Sequence, residues 1–260
     1  MALPGQVEDP NRIVTEQTNF TSSDGARIDA FTARPRQAGR YPGIIVIHEA
    51  FGVDEHIRDI VGRFANAGFV ALAPNLYQRV GAPAPGDMNS VMQKMFGLQD
   101  PQIVRDLEAA AACLRGMNNS NGKVGCVGFC MGGRTTLLFA CSSNKVDAAV
   151  DCWGGFILSA TPDAATTPSR PRPVIDLAGG LGCPLYVVIG AEDANPSPAH
   201  GAQLRERLDK EGKGALVTME VFQDAGHAFL NDRRPNYREK AAFELWPRMI
   251  AFFKQHLGTR

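Results

Sequence analysis

Residues 123–136, Lys-Val-Gly-Cys-Val-Gly-Phe-Cys-Met-Gly-Gly-Arg-Thr-Thr, constrain the fold more than any other stretch of the 260-residue chain. Val124–Phe129 is a short, mostly apolar, valine-rich run, the pattern of a buried strand. Gly128, Gly132 and Gly133 bracket Cys130, and Arg134–Ser143 has helical character. Strand, sharp turn and helix are the setting of a nucleophile elbow, here with Cys130 at the nucleophile position. Such a turn strains the nucleophile's backbone and leaves little room around it, which is a physical reason for glycine at 128 and 132. It also puts the sulfur near a helix N-terminus, whose dipole favours a thiolate. Taken alone, the motif fits equally well an α/β protein in which the cysteine is a small core residue. The rest of the chain has to decide.

Charge narrows the partners. Lys plus Arg and Asp plus Glu both number 27, so the formal net charge is zero. That argues against nucleic acid or an anionic membrane as the main partner. No run approaches the roughly 20 apolar residues of a membrane span. Residues 1–12 form a polar arm with no apolar signal core, so a cytoplasmic location is expected. The six cysteines include no Cys-x-x-Cys pair, and neither a metal site, a cofactor nor a disulfide framework is expected. With 44% hydrophobic residues, 13–260 suits a single domain, as a monomer or small homo-oligomer.

Strand and helix patterns alternate along that domain. Residues 13–19 and 26–33 read as strands joined by a hairpin turn at Ser23-Asp24-Gly25. Gly43–His48 is continuously apolar, as in a central parallel strand covered on both faces. A helix over 55–67 closed by Gly68 and a strand over 69–73 stopped by Pro74 follow. Residues 80–90 read as a loop. Asp100-Pro101 reads as an N-cap and first helical residue, with the helix running to about Arg115. Strands are expected over 146–152, 185–189 and 216–222, and helices over 198–210 and 237–256, the last kinked or broken at Pro247. The connection 157–183 is rich in proline and glycine and unusually long, a mark of a functional or partly disordered loop. Together these elements predict an α/β fold with a doubly wound, mostly parallel sheet and helices on both faces. Ligands in such sheets bind beyond the carboxyl ends of the strands. Glu49, Cys130, Asp193 and His227 all follow such ends.

A thiol is only a few per cent ionised at neutral pH, so a cysteine nucleophile needs a base. His227, in Asp-Ala-Gly-His-Ala-Phe just past the last strand, stands where the fold needs one. His200 reads as a surface residue of a helix and His256 as part of a last helical turn. Asp193 is the favoured carboxylate to orient His227; spacing leaves its neighbour Glu192 open, and Asp224 suits a turn cap better.

The motifs His48-Glu49-Ala50-Phe51-Gly52-Val53, Asn75-Leu76-Tyr77-Gln78-Arg79, Ser120–Gly125, Gly128–Gly133, Gly190-Ala191-Glu192-Asp193 and Gly226-His227-Ala228-Phe229 occur in this order. In them the chain resembles the dienelactone hydrolase family of α/β-hydrolases, from about residue 13 to 257. The resemblance implies an α/β-hydrolase fold and a Cys130–His227–Asp193 triad. It implies an oxyanion hole built from the backbone N–H groups of Met131 and Ala50. It makes Glu49 a modulator of the thiol and Arg79 a clamp for a substrate carboxylate, with Tyr77, Phe51 and Trp153 as further substrate contacts. The chain departs from the family's dienelactone-cleaving members at several positions. Asn231 stands where they carry a second carboxylate-binding arginine, Ala228 where they have serine, and Cys152-Trp153 where they have a tyrosine pair. The resulting expectation is a thiol-dependent hydrolase of a small ester or lactone, including anionic ones. A general carboxylesterase or thioesterase on the same residues is the alternative, and a catalytically silent binding protein is a third reading.

Overall fold

A computed structural model describes residues 3–161, 163 and 165–258. Met1 and Ala2 of the arm, Pro162 and Ala164 of the 157–183 connection, and the last two residues lie outside it. After a 3-10 turn at Pro10–Arg12, β1 (Ile13–Thr21) and β2 (Arg27–Pro35) form an antiparallel hairpin. Asp24 accepts from the Ala26 N–H and Gly25 adopts φ +84°, which closes the expected turn. There follow β3 (Tyr41–Ile47), α1 (Glu55–Asn66), β4 (Val70–Pro74), α2 (Met88–Gly97), α3 (Asp100–Gly116), β5 (Ser120–Phe129) and α4 (Met131–Ser142). The chain continues through β6 (Ala148–Cys152), β7 (Leu185–Gly190), α5 (Pro198–Lys210), β8 (Val217–Phe222) and α6 (Glu239–Leu257). Among the described residues these strands form one eight-stranded sheet, in the order β1-β2-β4-β3-β5-β6-β7-β8. Only the pairings made by β2 are antiparallel.

Strand composition explains the layers. Along β3, Ile45 and Ile47 enter one apolar cluster and Ile44 and Val46 the other, and all four are 0% exposed. A strand apolar on both sides requires cover on both sides. Helices α2, α3, α4 and α5 contribute to the first cluster, α1 and α6 to the second. The carboxyl ends of β3, β5, β7 and β8 are thereby left as the open edge. Among the described residues, no helix is long and apolar enough to cross a membrane.

Three local expectations are corrected. Helix α2 begins inside the expected 80–90 loop: Asp87 caps it by accepting from the Asn89 and Ser90 N–H groups, and Val91 and Met95, one turn apart, enter the core. Gln99, not Asp100, occupies the N-cap of α3, because the Asp100 carboxylate is drawn into a buried, two-pronged pair with Arg134. Pro247 does not break α6. An interior proline costs about 3 kcal/mol. Here the ring lies on the exposed side, while Leu245, Trp246, Met249 and Phe253 are buried. At about 1.5–3 kcal/mol for each buried apolar side chain, their packing outweighs the proline.

Replacing Pro247 by Ala should therefore stabilise the protein. Regaining the helical hydrogen bond, less the entropy returned to the unfolded chain, predicts a gain of about 1–2 kcal/mol. Urea unfolding followed by circular dichroism measures it, and an unchanged or lowered midpoint would refute the account.

Candidate active site

The turn after β5 is strained where the motif requires. Cys130 has φ 57° and ψ −115°, a conformation that side chains rarely adopt. The strain persists because its surroundings permit no other path. A Cβ on Gly128 would lie 2.0 Å from the Gly132 carbonyl oxygen, and one on Gly132 would lie 2.3 Å from that of Ile47. The start of α4 is thus pressed between β5 and the end of β3, and glycine is needed for backbone approach. The Cys130 N–H donates to the Cys152 carbonyl at the end of β6, 3.1 Å away.

His227, in the loop after β8, lines the same cavity as Cys130. Its Nδ1 lies 2.8 Å from Asp193 Oδ2, and the other carboxylate oxygen accepts from the Asn195 N–H at 2.9 Å. Asp193 is buried, while Glu192 and Asp224 are exposed, so Asp193 is the carboxylate brought to the imidazole. Burial disfavours the imidazolium, but the hydrogen bond it donates to Asp193 and then the adjoining Cys130 outweigh it, raising the His227 pKa to about 10. His200 instead completes a capping box at the start of α5.

The segment after β3 is held from below. His48 Nδ1 lies 2.6 Å from the Glu49 carbonyl oxygen, and its Nε2 accepts from the Leu76 N–H at 3.2 Å. That pairing requires a neutral ring protonated on Nδ1, and burial lowers the His48 pKa to about 4. The Tyr77 hydroxyl donates to the Ala50 carbonyl at 2.8 Å, and burial keeps it protonated. Among the described residues, the N–H groups of Ala50 and Met131 have no protein acceptor. Both residues line a cavity of about 310 Å³ together with Glu49, Phe51, Cys130 and His227. The Glu49 carboxylate, 3% exposed, accepts from Asn231 Nδ2 at 2.8 Å. The residue that replaces the family's second arginine is therefore spent on Glu49.

Arg79 and Trp153 do not fit their expected roles. The Arg79 guanidinium is saturated by two carboxylates, Asp106 and Asp24, at 2.8–3.0 Å, and it does not line the cavity. Trp153 is 1% exposed, packed between Phe129 and Phe229 with centroids 5.8 and 4.7 Å away, and belongs to the core beneath the elbow. Tyr77 acts from below through Ala50 and does not face the cavity. Phe51 does face it, under the Arg234 guanidinium at 4.0 Å. Sequence reasoning missed the opposite wall, where α2 supplies Met88, Val91, Met92 and Met95, and Arg134 and Arg170 complete it. The three-to-four-residue spacing in α2 was a usable signal; for Arg170, inside a proline-rich connection, there was none.

The dienelactone hydrolase family model matches residues 28–257. The chain belongs to the dienelactone hydrolase family. A relative from Escherichia coli strain K12 named "Putative carboxymethylenebutenolidase" is 34% identical over 260 residues, covering 98% of this chain and 92% of the relative. One of the same name from Methylorubrum extorquens is 34% identical, covering 95% and 83%. A crystal structure described as a putative dienelactone hydrolase from Klebsiella pneumoniae superimposes with a TM-score of 0.85 at 32% identity, covering 94% of this chain and 99% of that one. The chain is thus a dienelactone hydrolase-family hydrolase with the α/β-hydrolase fold.

The elbow geometry predicts the outcome of a single methyl group. Gly132→Ala should push α4 off β3, lower stability by about 1–3 kcal/mol and lower ester hydrolysis at least tenfold. Gly116→Ala, where an added Cβ meets nothing within 4 Å, is the control and should do neither. Thermal unfolding and initial rates on both variants check this; a fully active Gly132→Ala enzyme would contradict it.

Proposed function

We propose that the protein hydrolyses a small ester or lactone through a covalent thioester on Cys130. The observation that carries this reading is the His227 imidazole, bound to Asp193 at 2.8 Å and adjoining a cysteine on a strained elbow. The raised His227 pKa supports an imidazolium at neutral pH in the resting site, and the Cys130 sulfur reacts as the thiolate, the nucleophilic form of a thiol. The thiolate attacks the substrate carbonyl carbon, and the carbonyl π electrons move to oxygen. The N–H groups of Met131 and Ala50 are the donors for that oxyanion. Its collapse breaks the C–O bond, and the leaving alkoxide takes the proton from His227. In a lactone this alkoxide stays on the same molecule as the ring-opened hydroxyl. Water then attacks the thioester while His227 takes its proton, and the thiolate departs, leaving the acid. Asp193 keeps the imidazole in the orientation that both steps need. Glu49, buried and held by Asn231, lines the same cavity as the pair. A cavity of about 310 Å³ suits a small-molecule substrate.

Cys130→Ala should abolish hydrolysis of a chromogenic ester and leave the melting temperature within a few degrees of wild type, since the thiol contributes little packing. Residual turnover above about one per cent in the folded variant would remove Cys130 from the chemistry.

The pH profile tests His227 separately. Its folded pKa is raised, so the imidazolium, the acid for the leaving group, is present at neutral pH and is lost as pH rises through about 10. The alkaline limb of kcat/KM is expected there. Asp193→Asn removes the main partner that raises the pKa, so the limb should move toward neutral pH and the rate should fall. A limb that stays in place would show that another group controls it.

A further inference from the structure

Arg170 is a buried cation that makes no ion pair among the described residues. It belongs to the long 157–183 connection, is 2% exposed, and lines the same cavity as Cys130. Its Nη1 and Nη2 donate only to backbone carbonyls, Ala160 at 3.3 Å and Met95 at 2.8 Å, and its plane lies over Phe96 at 4.4 Å. Among the described residues it has no carboxylate within ion-pair distance, and its Nε–H has no acceptor. Arg134 lines the cavity next to it, with both Nη groups given to Asp100 and its own Nε–H likewise without an acceptor. Arg134 and Asp100 cancel, so the group carries one surplus positive charge.

A buried, uncompensated charge is costly, and an unsatisfied donor adds to the cost. Burial and then the Arg134 cation, against the weaker pull of Asp100, lower the Arg170 pKa to about 9, which leaves it charged at neutral pH. Arg170 and Cys130 line one cavity of about 310 Å³. The cation therefore sits within a small molecule's length of the nucleophile.

We propose that Arg170, with Arg134 beside it, is the receptor for a carboxylate on the substrate. The connection 157–183 supplies the anion site that Arg79, tied up by Asp24 and Asp106, does not. Arg234 is a weaker candidate, because it is exposed and stacked on Phe51 at the rim. Glu49, on the cavity wall, repels an anion, so the carboxylate belongs on the Arg170 side and the reacting carbonyl between Cys130 and Ala50. This assignment rests on the reading of Cys130 as nucleophile only for the word substrate; the anion site stands on its own geometry.

The test compares mono-p-nitrophenyl glutarate with its neutral methyl ester on wild type, Arg170→Gln, Arg170→Lys and Arg79→Ala. Wild type should favour the charged ester by at least tenfold in kcat/KM. Arg170→Gln should cost the charged ester roughly tenfold to a hundredfold, mainly through KM, and the neutral ester at least five times less. Arg170→Lys should recover part of the loss, and Arg79→Ala should leave the ratio of the two esters as in wild type. No preference in wild type, or equal losses on both esters, overturns the proposal while ester hydrolysis stands. Should neither ester be turned over, hydrolysis itself is the reading that fails. Calorimetric titration of glutarate then decides the anion site: binding weakened at least tenfold in Arg170→Gln or Arg170→Lys, whichever folds, supports it, and absent or unchanged binding overturns it.

Discussion

Three backbones meet at the end of β5 with no room for a side chain between them. Gly128, Gly132 and the Ile47 carbonyl fix where α4 starts relative to β3 and β5. That contact forces Cys130 to φ 57° and sets the Met131 N–H beside the segment carrying Ala50. The other site groups are hung from neighbouring strand ends of the same sheet: Asp193 after β7 and His227 after β8. Parallel pairing of β3, β5, β6, β7 and β8 keeps these ends in one row, so the sheet register is what converts distant sequence positions into one site.

A second set of bonds keeps the site from relaxing. His48 can hold the Glu49 carbonyl and the Leu76 N–H at once only as a neutral ring, and its burial ensures that it is one. Tyr77 adds a bond to the Ala50 carbonyl, and Asn231 steadies the Glu49 side chain. The backbone at Glu49 and Ala50 is therefore fixed by groups that do not line the cavity; in the proposed reaction such fixing keeps a donor's aim as charge develops.

Much of this was legible because it is local. The apolar run Gly43–His48, the glycines around Cys130, the hairpin turn at Asp24-Gly25 and the loop position of His227 each encode their structure within a few residues. What was not legible depends on partners far along the chain. Arg79 is a carboxylate clamp in its motif, but Asp24 and Asp106 lie 55 and 27 residues away, and only the fold brings them to it. Asp100 is a good N-cap by its neighbours, but Arg134, 34 residues on, outbids the backbone for its carboxylate. Trp153 looked like a cavity aromatic and became core because Phe129 and Phe229 close over it. At Pro247 the local cost predicts a kink or a break; the break does not occur, because the packing that carries α6 through the proline is not local.

The fate of Arg79 also explains the arrangement on the far side of the cavity. Asp106 accepts from Arg79, from the Ser22 hydroxyl and from Gln102, so this carboxylate ties the β1–β2 hairpin to α3. An arginine used in that way is a strut, and drawing it into the cavity would leave two carboxylates unpaired, one of them buried. Arg170 is under the opposite condition. Its guanidinium pins Met95 of α2 to Ala160 of the long connection through carbonyl groups, which fix its position without neutralising its charge. Carbonyl dipoles hold the cation in place, and no carboxylate among the described residues is bonded to it. One chain thus carries two arginines of the same chemistry near one site, and the difference between support and recognition lies in whether the acceptors around each are carboxylates or carbonyls.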